Sequence, residues 1–116
     1  MKIIVTTYGS YATGTEIADA VTGYGLALAR AQSVDVVDIP FIAADGSVAR
    51  VDLRIGWHSD MAAVSTEASG EELVEVDTIL TLLSKTNYLE GRRGIEFAAQ
   101  DLEQWRSSDL NWDDII

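Results

Sequence analysis

Residues 50–57 constrain the fold most strongly, because apolar and polar side chains alternate there with a period of two. This alternation is typical of a β-strand with one buried face. The apolar set is Val51, Leu53, Ile55 and Trp57, and the set between them is Arg50, Asp52, Arg54 and Gly56. Residues 37–41 alternate in the same way, so the two segments are predicted to form a hairpin.

The loop between these two strands decides how they pair. A two-residue turn at 45–46 would place Ile39 opposite Asp52 and would bring charges onto the core face. A three-residue loop at 44–46 instead places Ile39 opposite Val51 and keeps one face apolar. We therefore predict the longer loop, with its glycine in the left-handed position of a bulge.

The other segments complete one α+β domain that covers residues 1–116. A β-branched run at 2–8 predicts a first strand, residues 9–14 read as a loop, and a helix follows to about residue 32. A third strand of the meander is expected after a tight turn at 59–60, with Ile55 opposite Val64. Helices are predicted at about 70–89, ended by Gly91, and at about 94–106. The predicted order is β-α-β-β-β-α-α, with a mixed four-stranded sheet and the helices packed on one face. The first crossover is expected to be parallel and right-handed if its two strands are neighbours.

Two capping boxes are expected to begin the first two helices, namely Thr13 with Glu16 and Ser69 with Glu72. The predicted buried stripes are Ile17, Val21, Tyr24, Leu28 and Ala31 in the first helix and Leu73, Val76, Leu80 and Leu83 in the second. Glycines inside the first helix, Gly23 and Gly25, are interpreted as points of close packing.

The outer sheet face is predicted to mix apolar side chains with charges. Its apolar members are expected to be Val36, Ile42, Val48, Met61 and Ala63. Such a face is too apolar to be left in water over a large area, so either the last helices or a second copy of the chain should cover it. We predict a homodimer.

Composition excludes several classes of protein. With no Cys and one His, the chain has no disulfide, no zinc–thiolate site and no multi-histidine metal site of its own, and no metal or cofactor is predicted. The net charge is −11, which disfavours nucleic acid and anionic membrane surfaces. Residues 71–116 hold 11 of the 19 acidic and 4 of the 8 basic residues, and so −7 of this charge. No signal peptide or membrane span is read from the sequence, and a cytoplasmic location is predicted.

The segment between the first strand and the first helix is a candidate ligand loop. Two glycines and several hydroxyls stand there as in a phosphate-binding loop, but the phosphate-binding Lys is missing and Glu16 would repel an anion. The alternatives are an ordinary capped turn and a small-ligand site. The candidate residues are Gly9, Ser10, Thr13, Gly14 and Thr15.

Three other residues join the candidate ligand set. His58 is a candidate because histidine is the residue type suited to proton transfer at physiological pH, although the consecutive residues His58, Ser59 and Asp60 cannot form a catalytic relay. Arg92 and Arg93 are the one basic pair in the sequence, and they either complement a helix C-terminus or bind an anion.

Asp38 is expected opposite Asp52, where the neighbouring arginines indicate a surface charge ladder.

The C-terminal segment carries the candidate partner-binding residues. Trp105 and Trp112 lie in an acidic stretch, and Trp112 is followed by Asp113 and Asp114. Residues 109–116 therefore read either as a segment that folds back or as an interaction tail.

Two segments resemble parts of small uncharacterised actinobacterial proteins. They are residues 13–21, Thr-Gly-Thr-Glu-Ile-Ala-Asp-Ala-Val, and residues 55–60, Ile-Gly-Trp-His-Ser-Asp. The resemblance implies no activity, cofactor or functional residue.

The sequence as a whole indicates a small acidic domain that is not an enzyme and binds another protein, which we expect to be basic. The alternative is a small-molecule-binding or enzymatic domain that uses the loop at residues 9–15. A concave pocket with converging polar groups would favour the alternative, whereas an exposed apolar patch would favour protein binding.

Overall fold

The computed structural model describes residues 1–67 and 71–92, which form one five-stranded antiparallel sheet and two helices. The elements are β1 (Lys2–Thr6), β2 (Gly9–Thr13), α1 (Thr15–Arg30), β3 (Val34–Ile42), β4 (Val48–Gly56), β5 (Met61–Ser65) and α2 at residues 76–92. Across the sheet the order is β4-β3-β2-β1-β5. The predicted α+β class is confirmed, whereas the four-stranded mixed sheet and the predicted order are wrong. The strands on either side of α1 within the predicted crossover, β1 and β3, are not neighbours, so the condition for a parallel crossover is not met. The last predicted helix lies outside the described residues.

The strand that the sequence prediction missed is β2, which pairs with β1 along its full length. A two-residue turn joins them, and the Thr6 side chain closes it. Its Oγ1 accepts hydrogen bonds from the N–H groups of Tyr8 and Gly9, each at 3.2 Å, and donates to the Gly9 carbonyl at 3.1 Å. The chain therefore turns back at once instead of entering a loop, and the sheet is antiparallel from its first connection.

The predicted register between β3 and β4 is confirmed. Ile39 lies opposite Val51, and Val37 lies opposite Leu53. The Ala43 N–H donates to the Ser47 carbonyl at 2.8 Å across the predicted three-residue loop, in which Gly46 has a φ of 85°. The apolar alternation was therefore enough to select the loop length.

The predicted pairing of β5 with β4 is wrong, because β5 pairs with β1 instead. β4 and β5 stand at opposite ends of the strand order, yet only residues 57–60 connect them. β2 and β3 share the single pair Ala12–Ile42. Measured along the strands from this pair, Gly56 lies eight residues away in one direction and Met61 lies three residues away in the other. In a flat sheet, the ends of β4 and β5 that the connection joins would therefore be about 36 Å apart along the strand direction. Because the connection spans about 19 Å at most, the sheet must be strongly coiled.

The coiled sheet wraps around α1, which contacts β1, β3, β4 and β5. A Cβ placed on Gly25 would lie 3.3 Å from Met61 Cε and 3.9 Å from Ile55, so both terminal strands of the sheet reach this one helical position. The predicted close packing is confirmed at Gly25 but not at Gly23, which has no neighbour within 4 Å. The core combines this helix with the concave sheet face; its fully or nearly buried side chains include Ile4, Ile17, Val21, Tyr24, Leu28, Val37, Ile39, Leu53 and Ile55.

Helix α1 does not begin with the predicted capping box. Its N-cap is Gly14, and the Thr13 hydroxyl, fully buried, donates to the Pro40 carbonyl at 2.8 Å. The first-turn N–H of Thr15 instead donates to the Glu72 carboxylate, which also pairs with the Met1 ammonium group at 2.8 Å. The prediction that Glu72 caps the helix of its own segment is therefore wrong, because Glu72 caps α1 instead. Ser69, the other residue of that predicted capping box, lies outside the described residues.

The bonds at Glu72 make stability depend on pH. The hydrogen bond from the Met1 ammonium and those from Thr15 lower the pKa of Glu72 from 4.5 to about 2. A carboxylate whose pKa is lowered by folding stabilises the folded state at any pH above its ordinary pKa. This contribution disappears as the pH falls from about 4.5 to about 2. We expect Glu72→Gln to lower the thermal unfolding midpoint near neutral pH, with a difference from wild type that vanishes toward pH 2. Glu71→Gln, at the adjacent exposed carboxylate, should leave the midpoint unchanged at every pH.

Helix α2 begins at residue 76 and shows a different buried face from the one predicted. Leu82 is buried, and Ile79 and Leu89 pack against the same core. The predicted stripe is instead exposed at Val76, Leu80 and Leu83. The helix is apolar on two faces, and the face that complements α1 and β3 is the one that is buried. The predicted stop at Gly91 is wrong, since the helix includes residues 91 and 92.

Candidate functional site

The candidate ligand loop is not a loop in the structure. Gly9, Ser10 and Thr13 belong to β2, Gly14 is the helix N-cap, and Thr15 is the first helical residue. A Cβ on Gly14 would lie 1.7 Å from the Leu73 carbonyl oxygen, so the segment before α2 fills the space that a ligand would need. The ligand-binding role of these residues stays a prediction, but the strand-to-helix loop on which it rested is absent.

His58 lies at the sharp corner between β4 and β5. Its φ is 60°, a left-handed conformation that is uncommon for a residue other than glycine, and Gly56 has a φ of 114°. The His58 ring lies 4.4 Å from the Trp57 ring in an edge-on contact. The corner turns the chain through these conformations and leaves the imidazole exposed.

A groove opens between this corner, the free edge of β4 and the turn between β1 and β2. We call it the edge groove; it has a volume of about 330 Å³. Its lining residues are Thr6, Thr7, Tyr8, Tyr11, Asp52, Leu53, Arg54, His58, Ser59 and Asp60. His58 and the β1–β2 turn both line the groove. The sequence does not indicate this proximity, because it results from the coiling of the sheet.

The main chain of β4 contributes polar groups to the edge groove. The Trp57 N–H donates to the Ser33 carbonyl at 2.9 Å, and at the other end of the hairpin the Ala43 N–H donates to the Ser47 carbonyl. In this register the main-chain N–H and C=O groups of the odd-numbered residues of β4 point toward β3. In an antiparallel pair the alternate residues point their N–H and C=O groups away from the partner. The main-chain groups of Asp52 and Arg54 therefore face the groove, where no described strand pairs with them.

The charge ladder on the outer face of β3 and β4 is structural. Asp38 lies opposite Asp52, as predicted. The Arg50 guanidinium donates to Asp38 at 3.0 Å and to both carboxylate oxygens of Glu75 at 2.9 and 3.1 Å. These bonds lower the pKa of Glu75 and raise the pKa of Arg50. Arg50 therefore binds the segment before α2 to the sheet and already pairs with Asp38.

A second cavity of about 330 Å³ lies between β3 and α2; two of its charged lining groups, Asp38 and Lys85, are paired with Arg50 and Asp35 respectively. Tyr24 donates to Asp35 at 2.5 Å, and Lys85 lies 3.4 Å from the same carboxylate. The bond from Tyr24 is the main reason that the pKa of Asp35 is lowered, while burial raises the pKa of Tyr24. This cluster attaches α2 to α1 and β3, so it reads as packing rather than as a site.

The most unusual surface is the uncharged half of the outer sheet face. One cross-strand row runs through all five strands; in order it contains Val64, Ile3, Ala12, Ile42 and Val48. A second row contains Ala62, Val5 and Ser10. We call these eight residues the uncharged face. None is charged and seven are apolar, and the exposed fractions include 59% at Val48, 50% at Val64 and 38% at Val5.

The predicted outer face was correct only in part. Val36, Ile42 and Val48 point outward as expected. Met61 reaches Gly25 of α1, and Ala63 lies opposite the buried Ile4, so both point inward instead. The error follows from the missed β2 and from the wrong partner of β5, which shift the side chains of β5 by one position.

The remaining candidate residues lie on α2 or outside the described residues. Arg92 is exposed in α2, and Arg93, Trp105, Trp112, Asp113 and Asp114 lie outside the described residues, as does the tail 109–116. Within residues 1–67 and 71–92, no cluster of three or more His, Asp or Glu side chains is arranged to hold a metal ion. No helix in the same ranges is long and apolar enough to cross a bilayer, and the cytoplasmic location stays a prediction.

Comparison with known proteins adds no assignment. No protein-family model matches the chain, and neither the curated proteins nor the solved structures contain a significant match.

Proposed function

We propose that this protein is a non-enzymatic protein-interaction domain and that the uncharged face is its partner-binding surface. The observation that carries the proposal is the absence of charge from eight exposed or half-exposed residues in a chain with 23% charged residues and a net charge of −11. With strands about 4.8 Å apart, a row across five strands is about 19 Å wide. An apolar patch of this kind on a sheet is typical of a protein contact.

The charges around the uncharged face favour a basic partner. Asp45 lies in the hairpin loop beyond Ile42 and Val48, Asp60 precedes β5, and Glu67 follows it. None of these three carboxylates forms an ion pair with a described residue. We infer a partner surface with an apolar centre and a basic rim, whose association slows as salt screens the attraction.

A charge placed within the uncharged face tests the proposal. We expect Val64→Lys to weaken partner capture by at least about tenfold, because a buried unpaired charge at an interface is costly. The measurement is quantitative capture from a lysate of the source cells by immobilised wild-type and variant chains. Val36→Lys is the matched control, since Val36 is 56% exposed on the same outer face but lies among charges.

The unfolding midpoints of both variants should equal that of wild type, so that only binding differs. Equal capture of every partner by wild type and Val64→Lys, or equal loss in both variants, would refute the uncharged face as the binding surface.

A homodimer through the same face is the second candidate, and it follows from the apolar row alone. Salt separates the two candidates. Two copies that each carry a charge of −11 repel one another, so self-association should strengthen as salt screens the repulsion, whereas binding to a basic partner should weaken. Sedimentation at low and high salt measures the first effect directly.

A further inference from the structure

We infer that the edge groove binds an extended peptide segment, which adds to β4 as an antiparallel strand and carries an acidic, an apolar and a basic side chain in that order. This inference goes beyond the proposed function, because it concerns a different surface from the uncharged face.

The main chain of β4 supplies the hydrogen bonds that such a segment needs. β4 has nine residues, and its alternate N–H and C=O groups at Asp52 and Arg54 face the groove. These two residues lie about 7 Å apart along the strand, which is the repeat of an antiparallel ladder. Addition of a strand to an open sheet edge is a common mode of peptide recognition, in which the main chain provides affinity.

The dimensions of the groove limit the length of the segment. Its volume of about 330 Å³ lies at the lower end of the range for ligand sites and leaves room for a few residues. Tyr8 stands at the rim, where 94% of its surface is exposed, and can close over a bound chain. The position of the β1–β2 turn opposite β4 makes the site a groove instead of an open edge.

The side chains of β4 determine which sequence fits. Asp52 and Arg54 point to the outer face, and neither forms an ion pair with a described residue. Opposite charges directly across two strands stabilise the pair. On an antiparallel strand the residue opposite Arg54 comes two positions before the residue opposite Asp52, so the acidic side chain comes first and the basic one third.

The residue between these two points to the concave side of the sheet. There it meets the part of the groove that Leu53 and Tyr11 line, and Leu53 is itself buried in the core. An apolar middle residue would continue this apolar wall, whereas a charged one would be desolvated without a partner. The resulting pattern is acidic, apolar, basic.

Two peptides of equal composition test the pattern. We would titrate the full chain, labelled with ¹⁵N, with acetyl-Glu-Val-Lys-amide and with the reversed acetyl-Lys-Val-Glu-amide, up to about 10 mM each. The first peptide should move the amide signals of Thr7, Asp52 and Arg54 in a saturable manner. The reversed peptide should bind about twofold to fivefold more weakly, because exposed ion pairs contribute free energies of that size.

Proline variants test the role of the main chain. The N–H groups of Asp52 and Val48 both point away from β3, so Asp52→Pro and Val48→Pro keep the hydrogen bonds between β3 and β4. Pro40 occupies an equivalent position in β3 of the wild-type chain. Asp52→Pro should abolish peptide binding, while Val48→Pro, outside the groove, should leave it unchanged. Asp52→Asn, which keeps the N–H, should weaken binding by less than reversal of the peptide does, because it removes one favourable charge pair and adds no repulsion.

Each outcome decides the inference. Preference for the first peptide, loss in Asp52→Pro and retention in Val48→Pro would support it. Absence of saturable shifts, equal binding of the two peptides, stronger binding of the reversed peptide, or equal loss in both proline variants would overturn it. Val64→Lys should bind the peptide like wild type, so failure of the proposed function and failure of this inference can be distinguished.

Discussion

Replacement of Gly56 by alanine should reduce the free energy of unfolding by about 2–6 kcal/mol, because it combines backbone strain with overpacking. Gly56 has a φ of 114°, which L-residues rarely adopt. A Cβ there would lie 2.4 Å from the Ser33 carbonyl oxygen, 2.8 Å from Leu28 Cβ and 3.3 Å from Val34 Cα. Two of these atoms belong to the main chain and cannot rotate away. Since small domains have only about 5–15 kcal/mol of stability, this variant should be largely destabilised.

Two other glycines provide the controls. Gly46 has a φ of 85° but no neighbour within 4 Å, so Gly46→Ala should show only the strain, about 1 kcal/mol. Gly23 lies in α1 with open space around it, so Gly23→Ala should stabilise the protein by about 0.5–1 kcal/mol. Chemical denaturation followed by circular dichroism measures all three. If Gly56→Ala costs no more than Gly46→Ala, the close packing at the β4–β5 corner is wrong.

Truncation of Leu53 to alanine should cost about 2–5 kcal/mol, the usual range for a buried leucine. Leu53 is 5% exposed and lies opposite Val37 in the centre of the β3–β4 pair. The cavity that remains would adjoin α1, which contacts β4 along the concave face. The free energy of unfolding from a urea titration measures the loss.

Val48→Ala is the matched control on the same strand, since Val48 is 59% exposed on the outer face. We expect a change within about 0.5 kcal/mol, the usual limit for surface substitutions. Equal losses at the two positions would mean that the assignment of the inner and outer faces of β4 is wrong.

The sequence was sufficient to predict the hairpin of β3 and β4, because its information is local and redundant. Each strand alternates over several residues, and only one loop length keeps Ile39 opposite Val51 without a charge on the core face. A one-residue error would move every side chain to the other face, so the correct register is strongly selected. Most of α1 follows for a similar reason, since Ile17, Val21, Tyr24 and Leu28 of its predicted stripe are buried, whereas Ala31, the helix C-cap, is exposed.

Elements without a strong pattern were the ones predicted wrongly. Residues 9–13 contain glycine and hydroxyl residues that are typical of a turn, and they form β2 because β1 provides a partner along their whole length. In β5, small or apolar side chains occupy both faces, so alternation cannot select its partner or its register. Helix α2 has apolar stripes on two sides, and only the packing on α1 and β3 decides which one is buried.

The sequence predicted only part of the two candidate surfaces, namely Ile42 and Val48 on the outer face, because each surface depends on contacts between distant segments. The uncharged face appears only when β5, β1, β2, β3 and β4 stand side by side, which brings residues 3, 12, 42, 48 and 64 into one row. The edge groove requires the coil that brings the β1–β2 turn next to β4. The local signal that the sequence does contain, His58 at a polar corner, marks one wall of that groove.

Site-specific photocrosslinking in cells tests whether partners bind the uncharged face. A photoreactive phenylalanine analogue would replace Ala62, which is exposed on this face, or Ser84, which is exposed on α2. After irradiation in the source cells, we expect a covalent adduct with a partner protein from position 62, its loss in the Val64→Lys background, and none from position 84. Adducts from position 84 alone, or adducts from position 62 that Val64→Lys leaves unchanged, would contradict this expectation.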